Sequence, residues 1–306
     1  MKKYYLILAA LCFVIPAVAQ ETITIKHLNG ETTVTKNPKR LVVLDMGSLE
    51  NCHELNIPVI GGLGNVAQYM PKYGDANTYT AVGTVPKADV AAVAQLKPDL
   101  IITSTRQRSQ IDSLSAIAPT LVLGTTVADF WSTFENNVQL IGSIFNKEKE
   151  AAQKLGKLRQ KLAQVQAKAE EDQNKAVVVM HINERLIPNG PNSRFGFAHD
   201  MLHLKPAYIS EASAENQGER GKSNDTPSLE TLNPDYLFVF DRATGIQGTM
   251  PVLADLLTDD AKKTKAYKNG KVFLLPGFIW YLSGSGLLSV DNKVTDIGEK
   301  LYGIKF

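Results

Sequence analysis

Two arginines end matched segments of this chain. The first segment, Gln95-Leu96-Lys97-Pro98-Asp99-Leu100-Ile101-Ile102-Thr103-Ser104-Thr105-Arg106, runs from a Leu-x-Pro-Asp turn through an apolar stretch to Arg106. The second, Thr231-Leu232-Asn233-Pro234-Asp235-Tyr236-Leu237-Phe238-Val239-Phe240-Asp241-Arg242, repeats that order and ends on Arg242. Each landmark recurs at an offset of 136 residues (232 − 96, 234 − 98, 242 − 106). A third arginine, Arg194, lies in the polar turn Asn192-Ser193-Arg194-Phe195-Gly196. A guanidinium keeps its charge and presents a planar fork of donors, so several of them converging without matching acids suit a polyanion. The competing reading pairs each arginine with a nearby carboxylate on the surface. The repeat-related pair favours the first, because loops at the carboxyl ends of parallel strands are where ligands bind.

Other chemistries find less support. There is no Gly-x-Ser-x-Gly, no Gly-x-x-x-x-Gly-Lys-Ser/Thr and no Gly-x-Gly-x-x-Gly after a strand. Ser283 and Ser285, near Tyr281, are the nominal nucleophiles for an esterase, the enzyme alternative. The five histidines, His27, His53, His181, His199 and His203, lack a metal spacing, although His199 and His203 stand four apart on an expected helix. Cys52 sits beside Leu49 and Leu55 and reads as a buried, inert thiol.

The elements that must carry these residues follow from periodicity. No proline occurs between Pro119 and Pro188, and Leu155, Leu158, Leu162, Val165 and Ala169 recur at steps of three and four. That spacing predicts a helix over 147–172 with one apolar stripe, preceded by another through Phe130, Phe134, Val138, Ile141 and Phe145. The apolar run Leu41-Val42-Val43-Leu44 is answered 136 positions later by Val177-Val178-Val179-Met180 (177 − 41). The chain therefore reads as two similar, Rossmann-like α/β lobes with mostly parallel sheets, joined by one long helix.

In chain order, Ile23-Thr24-Ile25 and Thr32-Thr33-Val34 bracket Asn29-Gly30 as a hairpin. Strands are expected at 41–44, 59–60, 100–103 and 120–123, with helices over 48–55, 88–96 and 110–117. The aperiodic stretch 65–79, with Tyr69, Met70, Tyr73 and Tyr79, reads as a loop facing a ligand. The second lobe repeats the plan with strands at 177–180, 236–240 and 272–275, helices containing His199 to Leu202 and over 252–257, a polar loop over 210–225, and a closing helix.

The chain of 306 residues, 44% hydrophobic, can bury one large core or two smaller ones, and the repeat points to two. Lys2 and Lys3 precede an apolar run ending at Ala17-Val18-Ala19, which reads as a signal peptide over 1–19. The run is short for a membrane span, and Leu11 before Cys12 is bulky for a lipoprotein site. Its removal takes two lysines and no acids, so +2 − 2 leaves a formal charge near zero, and neither nucleic-acid binding nor stable membrane insertion is expected. The lobes are then 20–146 and 173–306, and Cys52 is left as a lone cysteine that cannot form an intramolecular disulfide.

Thr24-x-x-His27-x-x-Gly30, Pro38-Lys39-Arg40-Leu41-Val42-Val43 and the two Pro-Asp strands resemble the periplasmic ferric-siderophore binding proteins of ABC importers. Within them, Ser104-Thr105-Arg106-Gln107, Ser132-Thr133-Phe134-Glu135-Asn136-Asn137-Val138, Asn192-Ser193-Arg194-Phe195-Gly196, Phe240-Asp241-Arg242 and Trp280-Tyr281-Leu282-Ser283-Gly284 are similar to the catecholate branch, which takes petrobactin and enterobactin-type fragments. The resemblance covers nearly all of the mature chain. It implies the class III, helical-backbone type of binding protein, a monomer without an intrinsic cofactor, residing in the periplasm and serving an inner-membrane permease.

The resemblance also implies a shallow cleft with Arg106, Arg194 and Arg242 around an anionic iron catecholate, whose rings stack on arginine planes and on Trp280 or Tyr281. Tyr281 matches a tyrosine of that branch that can bind Fe(III) directly, as suits a hard cation and an oxygen donor. The branch's histidine ligand aligns with Arg220, in Arg220-Gly221-Lys222-Ser223. A protonated arginine cannot ligate iron, so Arg220 is read as a fourth positive charge. A same-fold receptor for haem, cobalamin or a hydroxamate siderophore is the alternative. Asp89 and Glu230, before the Pro-Asp strands, are the expected acidic docking residues for the permease.

Overall fold

The computed structural model describes residues 21–209 and 227–306; the leader, the 210–225 loop and Arg220 lie outside them. The first half opens on β1 (Thr22–His27) and β2 (Gly30–Thr35), an antiparallel hairpin turning at Asn29 and Gly30. β3 (Leu41–Val43) is fully buried and leads to α1 (Met46–Glu54), whose first turn is capped by Asp45 accepting from the Ser48 amide at 2.8 Å. β4 (Gly61–Gly62), β5 (Thr80–Ala81), the short β6 (Gly83–Thr84) and β7 (Lys87–Ala88), α2 (Val90–Gln95), β8 (Leu100–Thr103), α3 (Ile111–Ser115) and β9 (Thr120–Val122) complete it. The sheet runs β5-β4-β3-β8-β9 and is parallel throughout. The short strand expected at 59–60 forms two residues later, and the 110–117 helix begins with a 3₁₀ turn over Thr105–Gln110 that carries Arg106.

Two helices follow, α4 (Phe130–Ile144) and α5 (Glu148–Glu171). The second half contains β10 (Lys175–Ile182), β11 (Arg185–Asn189), α6 (Phe197–Asp200), β12 (Lys205–Pro206), α7 (Leu229–Leu232), β13 (Tyr236–Asp241), α8 (Arg242–Gln247), α9 (Leu253–Leu256), α10 (Asp259–Lys262), α11 (Lys265–Lys268), β14 (Val272–Leu274) and α12 (Leu287–Tyr302). Its sheet runs β11-β10-β13-β14 with β12 beside β10, parallel except for β11. β11 is a strand that the sequence reading did not include; Asn183 and Glu184, both at positive φ, turn the chain back on β10 there.

The repeat is visible in the strands. The offset of 136 carries β3 onto β10 and β8 onto β13, the central pair of each sheet. Arg106 and Arg242 accordingly each sit in the helical turn that starts at a central strand's carboxyl end.

The expectation of two separate cores is corrected. One continuous apolar cluster runs through both halves, from Leu41 and Ile102 through Phe134 and Leu158 to Phe238 and Ile297, and the outer faces of the two sheets keep small clusters of their own. The reason is α5: its stripe of Leu155, Leu158, Leu162, Val165 and Ala169 lies against α4 and α12, so the inner faces of both halves merge around it. The tyrosine-rich stretch also departs from its expected role. Met70, Tyr73 and Tyr79 are buried, the Tyr79 hydroxyl donates to the Leu63 carbonyl at 2.7 Å, and the Tyr69 ring lies 4.4 Å from that of Phe278. These rings fill core volume, because their apolar area is worth more inside than facing water.

Leu158, 2% exposed on α5, is shared by the core of both halves. Leu158→Ala should cost about 2–5 kcal/mol in urea unfolding, as a single transition. A midpoint unchanged from the parent would show that α5 does not hold the two halves together.

Candidate functional site

A cavity of about 410 Å³ opens where the halves meet, walled by Arg106, Met46 and Thr125 from the first and by Arg194, Phe197 and Lys293 from the second. The strand-end turns decide what points there. Ser104 follows β8 and accepts from the Arg106 amide, while Gln107 is buried beneath, its amide donating to the Leu44 carbonyl at 3.1 Å. Arg106 is thereby exposed at the wall above a fixed turn.

On the other side, Asp241 caps α8 by accepting from the Thr244 amide at 2.7 Å and pairs with His181 at 2.6 Å. Burial alone would raise the Asp241 carboxyl; hydrogen bonds from Thr244 and His181 outweigh it and hold that carboxyl below the usual range. Arg242, the first residue of α8, is thus anchored from behind. A single turn of π-helix, Phe278–Leu282, presses on α8 through two glycines: a Cβ on Gly277 would come 2.3 Å from the Asp241 carbonyl oxygen, and one on Gly245 would come 2.7 Å from Gly277. That approach puts Tyr281 beside Arg242.

The result is an arginine–aromatic cluster adjoining the cavity. The Arg242 Nε donates to the Tyr281 hydroxyl at 2.9 Å, and its guanidinium lies 5.4 Å from the ring centroid. Arg194 covers the Tyr281 ring at 5.1 Å and the Phe195 ring at 4.9 Å, and its Nη2 donates to the Tyr281 carbonyl at 2.7 Å. Burial lowers the Arg194 pKa, and the positive charges of Arg106 and Arg242 push it the same way. Arg194 is therefore close enough to both of them for repulsion. Arg159 is ion-paired with Glu135, whereas among the described residues neither Arg106 nor Arg242 has such a partner.

Not every expected contact takes its expected form. Trp280 reaches the cavity wall but is 2% exposed, edge-on to Phe197 and with the Lys293 ammonium 5.0 Å from its ring, so it supports the floor and offers no open stacking face. His199 and His203 do not share a helix face: α6 ends at Asp200, buried His199 Nδ1 meets the Leu204 carbonyl at 2.9 Å, and His203 pairs with Glu170 at 2.9 Å. Among the described residues no group of three His, Cys, Asp or Glu could hold a metal. Cys52 is fully buried and its thiol is pushed up to about 12 by burial, as an inert core residue would be. Asp89 is exposed as the cap of α2, and Glu230 is paired with Lys263 at 2.9 Å. Arg220 lies outside the described residues.

Two functional groups escaped the sequence reading. Glu50 on α1 and Lys293 on α12 are both buried beside the cavity. The Glu50 carboxylate accepts from the Ser283 hydroxyl and from the Ser289 amide at 2.8 Å, and neighbouring Asn51 accepts from the Leu287 amide at 2.8 Å. The first half thus caps the amino end of a helix in the second, with a carboxylate at the positive end of its dipole. The signal was present: Lys293 falls on the apolar stripe of Leu287, Val290, Val294 and Ile297, where a lysine is out of place.

Burial holds the Glu50 carboxyl at about 7 against 4.5, and brings the Lys293 ammonium to about 7 against 10.5. Between pH 4.5 and 7 the folded state carries a proton on Glu50 that the unfolded chain lacks, so stability falls as pH rises. Between 7 and 10.5 it lacks a proton on Lys293 that the unfolded chain carries, so stability recovers. Thermal unfolding should show this pair's contribution lowest near pH 7. Glu50→Gln should remove the acid-side slope, which approaches about 1.4 kcal/mol per pH unit for one proton. Parallel pH profiles for the two chains would refute the assignment.

Comparison with known proteins gives a consistent picture. Residues 60–277 match the family described as Periplasmic binding protein. The petrobactin-binding protein YclQ of Bacillus subtilis is 35% identical over 92% of this chain and 89% of its own, and its crystal structure superposes with a TM-score of 0.84, covering 92% of this chain and 99% of that one. The ferric-anguibactin-binding protein FatB of Vibrio anguillarum is 31% identical over 90% of this chain and 86% of its own. The periplasmic catecholate-siderophore binding protein VctP of Vibrio cholerae superposes with a TM-score of 0.78 at 26% identity, over 90% of this chain and 99% of that one.

Proposed function

The chain belongs to the periplasmic binding protein family, and from that premise we propose that it holds a ferric catecholate siderophore between its halves and delivers it to an inner-membrane ABC permease for iron uptake. The observation that carries this reading is Arg194, which feels the positive charge of two other guanidiniums: Arg106 shares its cavity wall and Arg242 adjoins it, and neither of those two has an ion-pair partner among the described residues. Such a group is costly alone and is relieved by a multiply charged anion. A ferric catecholate complex supplies the charge together with planar rings, and Arg194 and Arg242 already sit over aromatic rings. No bond is made or broken: the protein selects by charge and shape, and the iron complex is cargo.

Tyr281 is the group placed to enter the iron's coordination sphere when the siderophore leaves a position open. Its hydroxyl oxygen already accepts from Arg242, and a hard Fe(III) ion favours an oxygen donor. Arg220 adds positive charge from the second half. The chain works as a monomer in the periplasm after removal of a leader ending near Ala19, with lobes 20–146 and 173–306 on either side of the 147–172 helix. Among the described residues no helix is long and apolar enough to cross a membrane. Asp89 and Glu230 are the acidic residues, one on each lobe, that dock the permease.

Arg242→Ala should weaken binding of ferric petrobactin at least tenfold in fluorescence-quenching titration, about 1.4 kcal/mol. An unchanged dissociation constant would remove the arginine cluster from the site. Tyr281→Phe should abolish the visible-band shift that a tetradentate ferric bis-catecholate shows on binding, and an identical spectrum in the variant would exclude Tyr281 as an iron ligand.

A further inference from the structure

Lys293 stands apart from every other lysine of the described chain. It is 4% exposed, on the inner stripe of α12, yet it lines the cavity between the halves. Among the described residues its Nζ makes one hydrogen bond, to the Gly284 carbonyl at 3.3 Å, which leaves donor capacity unused. Gly284 has a φ of 94°, and a Cβ there would come 2.7 Å from that Nζ, so the backbone is shaped around the ammonium. The rings of Phe197 and Trp280 lie 4.9 and 5.0 Å away. Among the described residues no carboxylate forms an ion pair with it; Glu50, whose charge favours the ammonium, has its oxygens committed to Ser283 and Ser289.

The geometry points to Lys293 as a further cation of the binding site, at the floor of the cavity that Arg106 and Arg194 also line, taking the most deeply inserted anionic oxygen of the ligand and acquiring a proton as that oxygen arrives. This rests on the reading of the cavity as an anion site and adds to it a residue, a depth and a proton. A buried ammonium held between two aromatic faces without a counter-ion is only partly compensated, and an anion from the cavity side completes it. The groups that face it act in both directions: Glu50 from α1 favours its charge, while Arg194 from the 192–196 turn opposes it. Asp45 and Asp200 line the same cavity. With the ammonium at about 7 in the free protein, much of the population is neutral at pH 8, and an anion beside it restores the charge. Selection follows too, because a ligand without a deep anionic oxygen leaves the floor uncompensated.

The test is calorimetric titration with preformed ferric petrobactin at pH 8, in two buffers that differ in ionisation enthalpy. The parent chain should take up a substantial fraction of a proton on binding. Lys293→Met, which keeps the length and most of the volume, should lose that uptake and bind at least tenfold more weakly, while Glu50→Gln should keep the uptake. No proton uptake by the parent, or uptake that persists in Lys293→Met and vanishes in Glu50→Gln, overturns the assignment. A parent that fails to bind the ferric complex at all overturns the reading of the site together with this inference, whereas binding without uptake overturns the inference alone.

Discussion

Everything in this site depends on holding like charges together in the absence of the group that neutralises them. Guanidiniums crowding Arg194 would drift away from it on flexible loops, and the structure prevents it by placing Arg106 and Arg242 on short, capped turns and fixing Arg194 against its neighbours. Arg106 follows the Ser104 cap, Arg242 follows the Asp241 cap, and Arg194 is tied to the Tyr281 carbonyl and laid over two rings. The aromatic faces are part of the same solution, because they stabilise a cation without neutralising it. The repulsion that remains is available to a ligand as binding energy.

A second constraint keeps the two walls in register. The amino end of α12 finds its cap in the opposite half, from Glu50 and Asn51, and the apolar cluster runs unbroken through α5. Opening the halves widely would leave a buried carboxylate and two helix amides without partners, a cost on the order of 1–3 kcal/mol for each lost hydrogen bond. The architecture therefore favours a preformed cleft over a hinge that closes on its ligand, and preorganisation is what makes a rigid charge pattern selective. The relatives named above share this fold over almost their whole length, so the frame is common and the discrimination belongs to the residues that line it.

The sequence by itself determined the doubling, the long joining helix and the three arginines, because each leaves a local mark. An offset of 136 residues, a stripe at steps of three and four, and an arginine at the end of a strand need no knowledge of distant contacts. Tertiary structure decided what those marks could not. Tyr69, Met70, Tyr73 and Tyr79 look like a ligand-facing loop until a core is present to receive them, and Trp280 looks like a stacking platform until Phe197 and Lys293 cover it. The role of Glu50 as a cap for α12 involves residues 239 positions apart (289 − 50), and Lys293 becomes a cavity-floor cation only where two halves close above it. Periodicity reports the burial of an element's face, whereas the partner that a buried charge meets across a fold is a long-range contact, and no local pattern encodes it.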